Sequence, residues 1–356
     1  MVRGTRTPFL LPPSLEASEP PEERGLGRDD VRLLVASRGR RTIEHRRFGD
    51  LPRILEPGDV LVVNTSATLP ASLDVLTGDG TPGELHLSTR LPAGLWVVEL
   101  RRRAGPAGAS TPWLDAPPGT VLALPGGGRA ELLVPASGEA AAPGQDARLW
   151  VATLRLPQPL LGYLAAHGRP IRYGHVAHDL PIAAYQTVFA DEPGSAEMPS
   201  AARPFSAEVV TRLVARGVAF APFVLHTGVS SLEAHEPPFA EWYRVAPETA
   251  AQVNAARGDG HRVIAVGTTA VRALETVADG HGRIHPGEGW TEVIVSPQRG
   301  VQAVDGLVTG WHEPRASHLA LLEAVGGRSL LEASYAAALK EGYLWHEFGD
   351  SHLILP

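Results

Sequence analysis

His261-Arg-Val-Ile-Ala-Val-Gly-Thr-Thr-Ala-Val-Arg-Ala-Leu-Glu275 joins an apolar run to a helical one through a single glycine. Residues 263–266 form a short, continuously apolar run, as expected of a strand covered on both faces. Gly267 permits a close turn, and Thr268 or Thr269 can cap the helix that follows. A buried strand feeding a helix through a glycine turn is half of a βαβ unit, which implies a parallel sheet with helices on its faces.

The same alternation extends outward. A helix at 207–216, a strand at 219–225 and a helix at 247–257 precede the stretch; a strand at 292–295 and a long helical region at 317–341 follow it. Upstream, residues 31–36 and 42–48 read as two strands joined at Ser37-Arg38-Gly39, and Val60-Leu-Val-Val63 is a second doubly buried strand. Between residues 73 and 155 the character changes to short β-type runs (84–87, 96–101, 120–124, 130–134, 148–154) separated by Gly and Pro turns. That is the pattern of a small antiparallel barrel or sandwich. The tracts at 104–112 and 135–145, rich in Gly, Ala and Pro, read as loops. The expected architecture is therefore an α/β domain with a mostly parallel sheet, residues 1–72 and 156–356, interrupted by an antiparallel β-barrel at 73–155.

A chain of 356 residues, 44% apolar, can bury a full core. No stretch approaches the length of a membrane helix, and the N-terminus lacks a signal-peptide apolar region, so a cytoplasmic protein is expected. With no cysteine, thiolate nucleophiles, Cys-ligated zinc and disulfides are excluded. Lys340 is the only lysine and lies in a C-terminal helical stretch, which disfavours Schiff-base chemistry. The net charge of −7 argues mildly against a nucleic-acid partner, although Arg38, Arg40, Arg41, Arg46 and Arg47 could meet a backbone locally. The plainer reading of that run is a solvated hairpin.

Parallel-sheet enzymes keep their sites at the carboxyl ends of strands. Gly267, Thr268 and Thr269 sit at such an end and can offer N–H groups and hydroxyls to an anion or polar ligand, though an ordinary capped turn has the same form. His226 follows the strand at 219–225, placing an acid/base candidate at the same edge, though a lone histidine there is often a structural hydrogen bonder. Asp305, Thr309 and His312 are polar residues in an otherwise β-like run, and Asp305 and Thr309 share a face if that strand is unbroken. His175 and His178 would share a face of a helix, without a matching set of further ligands for a metal.

At these residues a resemblance appears. Glu44-His-Arg-Arg-Phe-Gly-Asp-Leu-Pro52, Leu55-Glu-Pro-Gly-Asp-Val-Leu-Val-Val-Asn64, Tyr185-Gln-Thr-Val-Phe-Ala190, Glu192-Pro-Gly-Ser195, Leu225-His-Thr-Gly228, Glu241-Trp-Tyr243, Val266-Gly-Thr-Thr-Ala-Val-Arg-Ala-Leu-Glu275 and Phe348-Gly-Asp350 resemble, in order, motifs of the S-adenosylmethionine:tRNA ribosyltransferase-isomerases. The resemblance implies an α/β domain carrying an inserted β-barrel. It also implies transfer and isomerisation of the ribosyl unit of S-adenosylmethionine onto a 7-aminomethyl-7-deazaguanine base in tRNA, in queuosine biosynthesis, releasing adenine and methionine. No metal is implied. Taken with the strand-end positions, it makes His226, Asp305 and His312 the expected catalytic residues. Gly267, Thr268, Thr269 and Arg272 are expected to bind S-adenosylmethionine, and Asn64, Tyr185, Gln186 and Arg203 the substrate.

The chain departs from the family at dense motifs. Asn64-Thr-Ser-Ala67-Thr-Leu-Pro70-Ala-Ser72 stands where members read Asn-Asp-Thr-Arg-Val-Ile-Pro-Ala-Arg, and Pro199-Ser-Ala-Ala-Arg-Pro204-Phe-Ser206 where they read Pro-Thr-Ala-Gly-Leu-His-Phe-Thr. Two alternatives therefore stand beside the family activity: the same donor used on a small acceptor, and a binding protein of this fold without catalysis.

Overall fold

The continuous apolar runs become the middle of a nine-stranded sheet. The computed structural model describes residues 9–103, 110–136, 147–229, 239–314 and 316–356. In chain order, β1 (Arg32–Ser37) and β2 (Thr42–Arg47) form a hairpin, and a single turn α1 (Leu51–Ile54) leads into β3 (Val60–Asn64) and β4 (Ser66–Thr68). Then come β5 (Ser72–Leu76), β6 (Pro82–Arg90), β7 (Leu95–Arg102), β8 (Thr111–Pro112), β9 (Val121–Ala123), β10 (Arg129–Pro135) and β11 (Leu149–Arg155). After α2 (Leu160–His167) follow β12 (Glu192–Ser195), α3 (Ala207–Ala215), β13 (Ala219–Leu225), β14 (Glu241–Val245), α4 (Pro247–Gly258), β15 (Val263–Val266) and α5 (Thr268–Val277). The chain ends with β16 (Gly287–Thr291), β17 (Gly306–Gly310), α6 (His318–Gly326), α7 (Arg328–Lys340) and β18 (Ser351–Leu355).

The large sheet is ordered β16-β14-β13-β3-β15-β17-β18-β1-β2. Its centre, β13-β3-β15-β17, is parallel, as is the pair β18-β1, while the remaining pairs are antiparallel and make the sheet mixed. Alternate residues of the central strands feed two cores. Val62, Ala265 and Leu307 pack with α4 to α7 on one face, whereas Leu61, Val63, Ile264, Val266 and Val308 pack with α3 on the other. This two-sided burial is why these strands carry no polar alternation.

The second sheet, β11-β10-β9-β5-β6-β7, closes where β7 pairs again with β11, giving a six-stranded antiparallel barrel with β8 added against β7. Leu73, Leu85, Leu87, Val98, Leu100, Leu122, Leu132 and Trp150 fill it. A register shift in β6 between Leu87 and Thr89 re-aims Ser88, whose hydroxyl accepts the Val229 N–H at 3.0 Å. The bulge thus ties the barrel to the chain leaving β13.

Several local expectations change. The strand expected at 292–295 lies earlier, at Gly287–Thr291, where β16 pairs with β14. The helical region at 317–341 is split, because Gly327 takes φ +79°, a conformation that ends α6 and opens α7. His175 and His178 lie outside any helix; they pair with Glu347 at 2.8 Å and Glu23 at 3.2 Å. The tracts at 104–112 and 135–145 fall for most of their length outside the described residues. The Phe348-Gly-Asp350 motif is a structural lock: the Asp350 carboxylate accepts the N–H groups of Arg32 (2.7 Å) and Leu344 (2.8 Å). A Cβ at Gly349 would stand 2.3 Å from the Leu344 carbonyl oxygen. Among the described residues, no helix is long and apolar enough to cross a membrane.

Candidate active site

Because the central strands are parallel, Asn64, Leu225 and Val266 end on one edge of the sheet, and the loops leaving them converge. Asn64 is 1% exposed and its amide continues the ladder beyond the strand ends. Its Nδ2 donates to the Leu225 carbonyl at 2.8 Å, and its Oδ1 accepts from the N–H groups of Leu225 and Ser66, both at 3.0 Å. Asn64 therefore aims its neighbours.

Those neighbours form a polar chain. Ser66 Oγ lies 2.6 Å from Ser195 Oγ and 2.7 Å from His226 Nδ1. On the other side of the ring, His226 Nε2 is 3.8 Å from Glu192 Oε1, and the second oxygen of Glu192 takes Arg244 at 2.5 Å. The imidazole stacks on Trp242 with centroids 5.2 Å apart. Burial lowers the His226 pKa, Arg244 acts in the same direction, and Glu192 opposes them. Nδ1 is occupied by Ser66, so Nε2 is the nitrogen able to exchange a proton. At 3.8 Å from Glu192, Nε2 lies beyond direct hydrogen-bond range.

The α5 start adjoins this chain. Gly267 has φ +90°, the left-handed region that glycine adopts freely, and a Cβ there would press on the Ala201 Cβ at 3.4 Å. No side chain caps the helix, so the first-turn N–H groups of Thr268 and Thr269 are available to a polar ligand. Arg272, one turn into α5, is otherwise engaged. It pairs with Glu241 and donates to the carbonyls of Phe239 (3.1 Å), Thr291 (3.2 Å) and Val293 (3.3 Å). Glu241 in turn accepts the Gly228 N–H at 3.0 Å, two residues past His226. Arg272 holds α5 against β14 and β16.

The remaining expected residues divide. Thr309 and His312 meet at the carboxyl end of β17, with Thr309 Oγ1 3.0 Å from His312 Nε2, and the His312 ring stacks on His318 at 4.7 Å. Burial pushes His312 well below the usual histidine value, and takes His318 to about 4 with Arg272 adding to the effect. Both rings are neutral. Asp305 lies at the opposite end: it precedes β17 and accepts the N–H of Val263, the first residue of β15, at 2.8 Å. The structure does not bring it to His226, and its carboxylate serves the ladder. Gln186 is occupied by the backbone of Thr68, accepting its N–H (3.0 Å) and donating to its carbonyl (2.8 Å). Arg203, 2% exposed, donates to Glu22 and to the Ala184 carbonyl and lies over the Phe348 ring.

Ser66, Ser195, Glu192, Trp242 and Glu241 were missed. Glu192, Ser195, Glu241 and Trp242 stand inside quoted motifs, but nothing local marks them as neighbours of His226. Of the departures, Ser66 keeps a hydroxyl where the family has threonine. Ser206 likewise keeps the cap of α3, accepting the Val209 N–H at 3.1 Å.

Comparison with known proteins gives matches along nearly the whole chain. The family model described as "Queuosine biosynthesis protein" matches residues 6–354. An S-adenosylmethionine:tRNA ribosyltransferase-isomerase of Moorella thermoacetica is 38% identical over 364 residues, covering 98% of each chain. That of Symbiobacterium thermophilum is 38% identical over 358 residues with the same coverage. A crystal structure of S-adenosylmethionine tRNA ribosyltransferase from Thermotoga maritima is 30% identical, with a TM-score of 0.52 over 98% of this chain and 99% of that one.

Proposed function

Since the chain belongs to the S-adenosylmethionine:tRNA ribosyltransferase-isomerase family, we propose that it moves and isomerises the ribosyl unit of S-adenosylmethionine onto the 7-aminomethyl-7-deazaguanine base of a tRNA, with the reaction centred on His226. The observation that carries this assignment is the single imidazole with one nitrogen engaged by Ser66 and the other facing Glu192, at the sheet edge beside the uncapped start of α5.

The reaction needs a base for a proton on the carbon next to the sulfonium, and a donor for the departing adenine. A neutral His226 supplies the base. When Nε2 takes the proton, Glu192 stabilises the imidazolium and Ser66 keeps the ring oriented. The N–H groups of Thr268 and Thr269, with their hydroxyls, hold polar groups of the donor molecule other than its methionine carboxylate. Thr309 and His312 line the neighbouring strand end and can hold sugar hydroxyls as neutral hydrogen-bonding partners. The test is adenine release from S-adenosylmethionine with and without deazaguanine-modified tRNA: release that depends on the modified tRNA supports the assignment, and none under either condition refutes it.

Two outcomes follow here. Replacing Thr268 and Thr269 together by alanine should weaken S-adenosylmethionine binding about 10- to 30-fold, as two hydrogen bonds of about 1 kcal/mol each imply. Calorimetry showing unchanged affinity in a folded protein would remove the donor from this turn. The second concerns pH. The His226 pKa lies below its ordinary 6.5, so the free base is lost only as pH falls through that lowered value. kcat/KM should rise through an apparent pKa below 6.5 and be level from pH 7 to 8; an inflection above 7 on this limb contradicts His226 as the base.

A further inference from the structure

Beyond the His226 chain, residues 169–185 enclose a cavity of about 40 Å³ lined by Arg169, Pro170, Arg172, Asp179, Leu180 and Tyr185. Tyr185 is 4% exposed, and its hydroxyl is buried without a hydrogen-bond partner among the described residues. Its ring is fixed edge-on against Phe348 at 5.3 Å, and its carbonyl accepts Thr68 Oγ1 at 2.7 Å, two positions from Ser66. Burial, with Glu347 adding to it, holds the phenol above its ordinary value, so at neutral pH it is a donor. A buried donor with no acceptor among the described residues is unfavourable in the free protein, and an incoming acceptor relieves it.

The arginines indicate which acceptor. Arg169 is bound by both oxygens of Asp74, at 2.5 and 3.1 Å. Arg172 meets Asp179 at 3.3 Å, but that carboxylate is 71% exposed, so the pair is solvated and weak. With Asp74 neutralising Arg169 and Glu347 adding a negative field at Tyr185, Arg172 is the cation of the lining held by an exposed partner and able to exchange it. The volume admits an oxygen or two, and a larger ligand enters tip first.

We propose that this cavity is an oxyanion subsite, in which a carboxylate or phosphate oxygen accepts the Tyr185 hydroxyl and is neutralised by Arg172. Its sources rest on the transferase reading: the methionine carboxylate of the donor, or a backbone phosphate of the tRNA. The Tyr185→Phe substitution removes only the unpartnered hydroxyl, so its effects on stability and on binding separate. With Tyr185→Phe and Arg172→Gln in the full chain, melting temperature, S-adenosylmethionine affinity by calorimetry and tRNA affinity across a salt series would be measured.

The melting temperature of Tyr185→Phe should be unchanged or higher, while one affinity falls about 10-fold. Loss in the S-adenosylmethionine arm identifies the carboxylate. Loss in the tRNA arm, with a log–log salt slope smaller by about one in Arg172→Gln, identifies the phosphate. Both affinities within twofold of the parent in a folded Tyr185→Phe protein overturn the subsite and leave a water as its occupant. A parent that binds neither molecule refutes the transferase reading instead. Inorganic phosphate then decides the subsite: it stands if phosphate raises the melting temperature of the parent but not of Tyr185→Phe, and falls if both respond alike.

Discussion

The His226→Gln protein should bind S-adenosylmethionine as the parent does and release adenine about 10²–10⁴-fold more slowly, the range expected when a positioned general base is lost. Glutamine keeps a polar group of similar reach near Ser66 and Trp242 but cannot take a proton at neutral pH. The effect should therefore appear in the rate under saturating donor and leave affinity unmoved, which marks an interaction used in the transition state. Single-turnover adenine release alongside calorimetry makes the separation. A rate within about threefold of the parent would transfer the base role elsewhere and reduce the Ser66–His226–Glu192 chain to a structural one. His312 would then be the next group to replace, although burial pushes its pKa well below the usual histidine value.

Arg272→Met should cost about 3–5 kcal/mol of folding stability, the scale for removing one partner of a buried ion pair. The guanidinium joins α5 to β14 through Glu241, to β16 through the Thr291 carbonyl and to the chain beyond through Val293. Both side chains of the pair are shielded, 10% exposed for Arg272 and 14% for Glu241. Solvent screening removes little of the interaction at that depth. Methionine fills the stem but leaves a buried carboxylate and three carbonyls without their donor. Denaturant unfolding should show the midpoint falling at constant slope. Adding Glu241→Gln should restore part of the loss, since it removes the stranded charge, and non-additivity of the two changes measures their coupling. A cost below about 1 kcal/mol would show that Arg272 is free to serve the ligand instead.

The parts of this protein that were legible in the sequence are those set by near neighbours along the chain. The runs at Val60 and Val263 announced strands covered on both faces because nothing polar interrupts them, and Gly267 with two threonines announced the turn and helix that follow. Short β-type runs separated by frequent Gly and Pro turns marked the barrel. Local signals failed where packing outweighed them. The apolar 293–295 segment is not a strand, because the preceding Gly287–Thr291 segment is the one that pairs with β14, and α6 stops where Gly327 lets the chain turn.

The active-site chain belongs to the second category. Ser66 is 129 positions from Ser195 and 160 from His226, yet its Oγ lies 2.6 Å from the Ser195 hydroxyl and 2.7 Å from the His226 ring. Their meeting depends on β3 and β13 being adjacent parallel strands and on β12 pairing with β4, an order that no local pattern encodes. The same tertiary arrangement decided that Asp305 stands at the wrong end of its strand, that Arg272 is consumed by Glu241 and carbonyls and that the Tyr185 hydroxyl meets no partner among the described residues. Side-chain periodicity and turn sterics act over a few residues, so the sequence determined the elements themselves; strand order is settled by burial of the whole core, so only the folded structure determined which polar groups face one another.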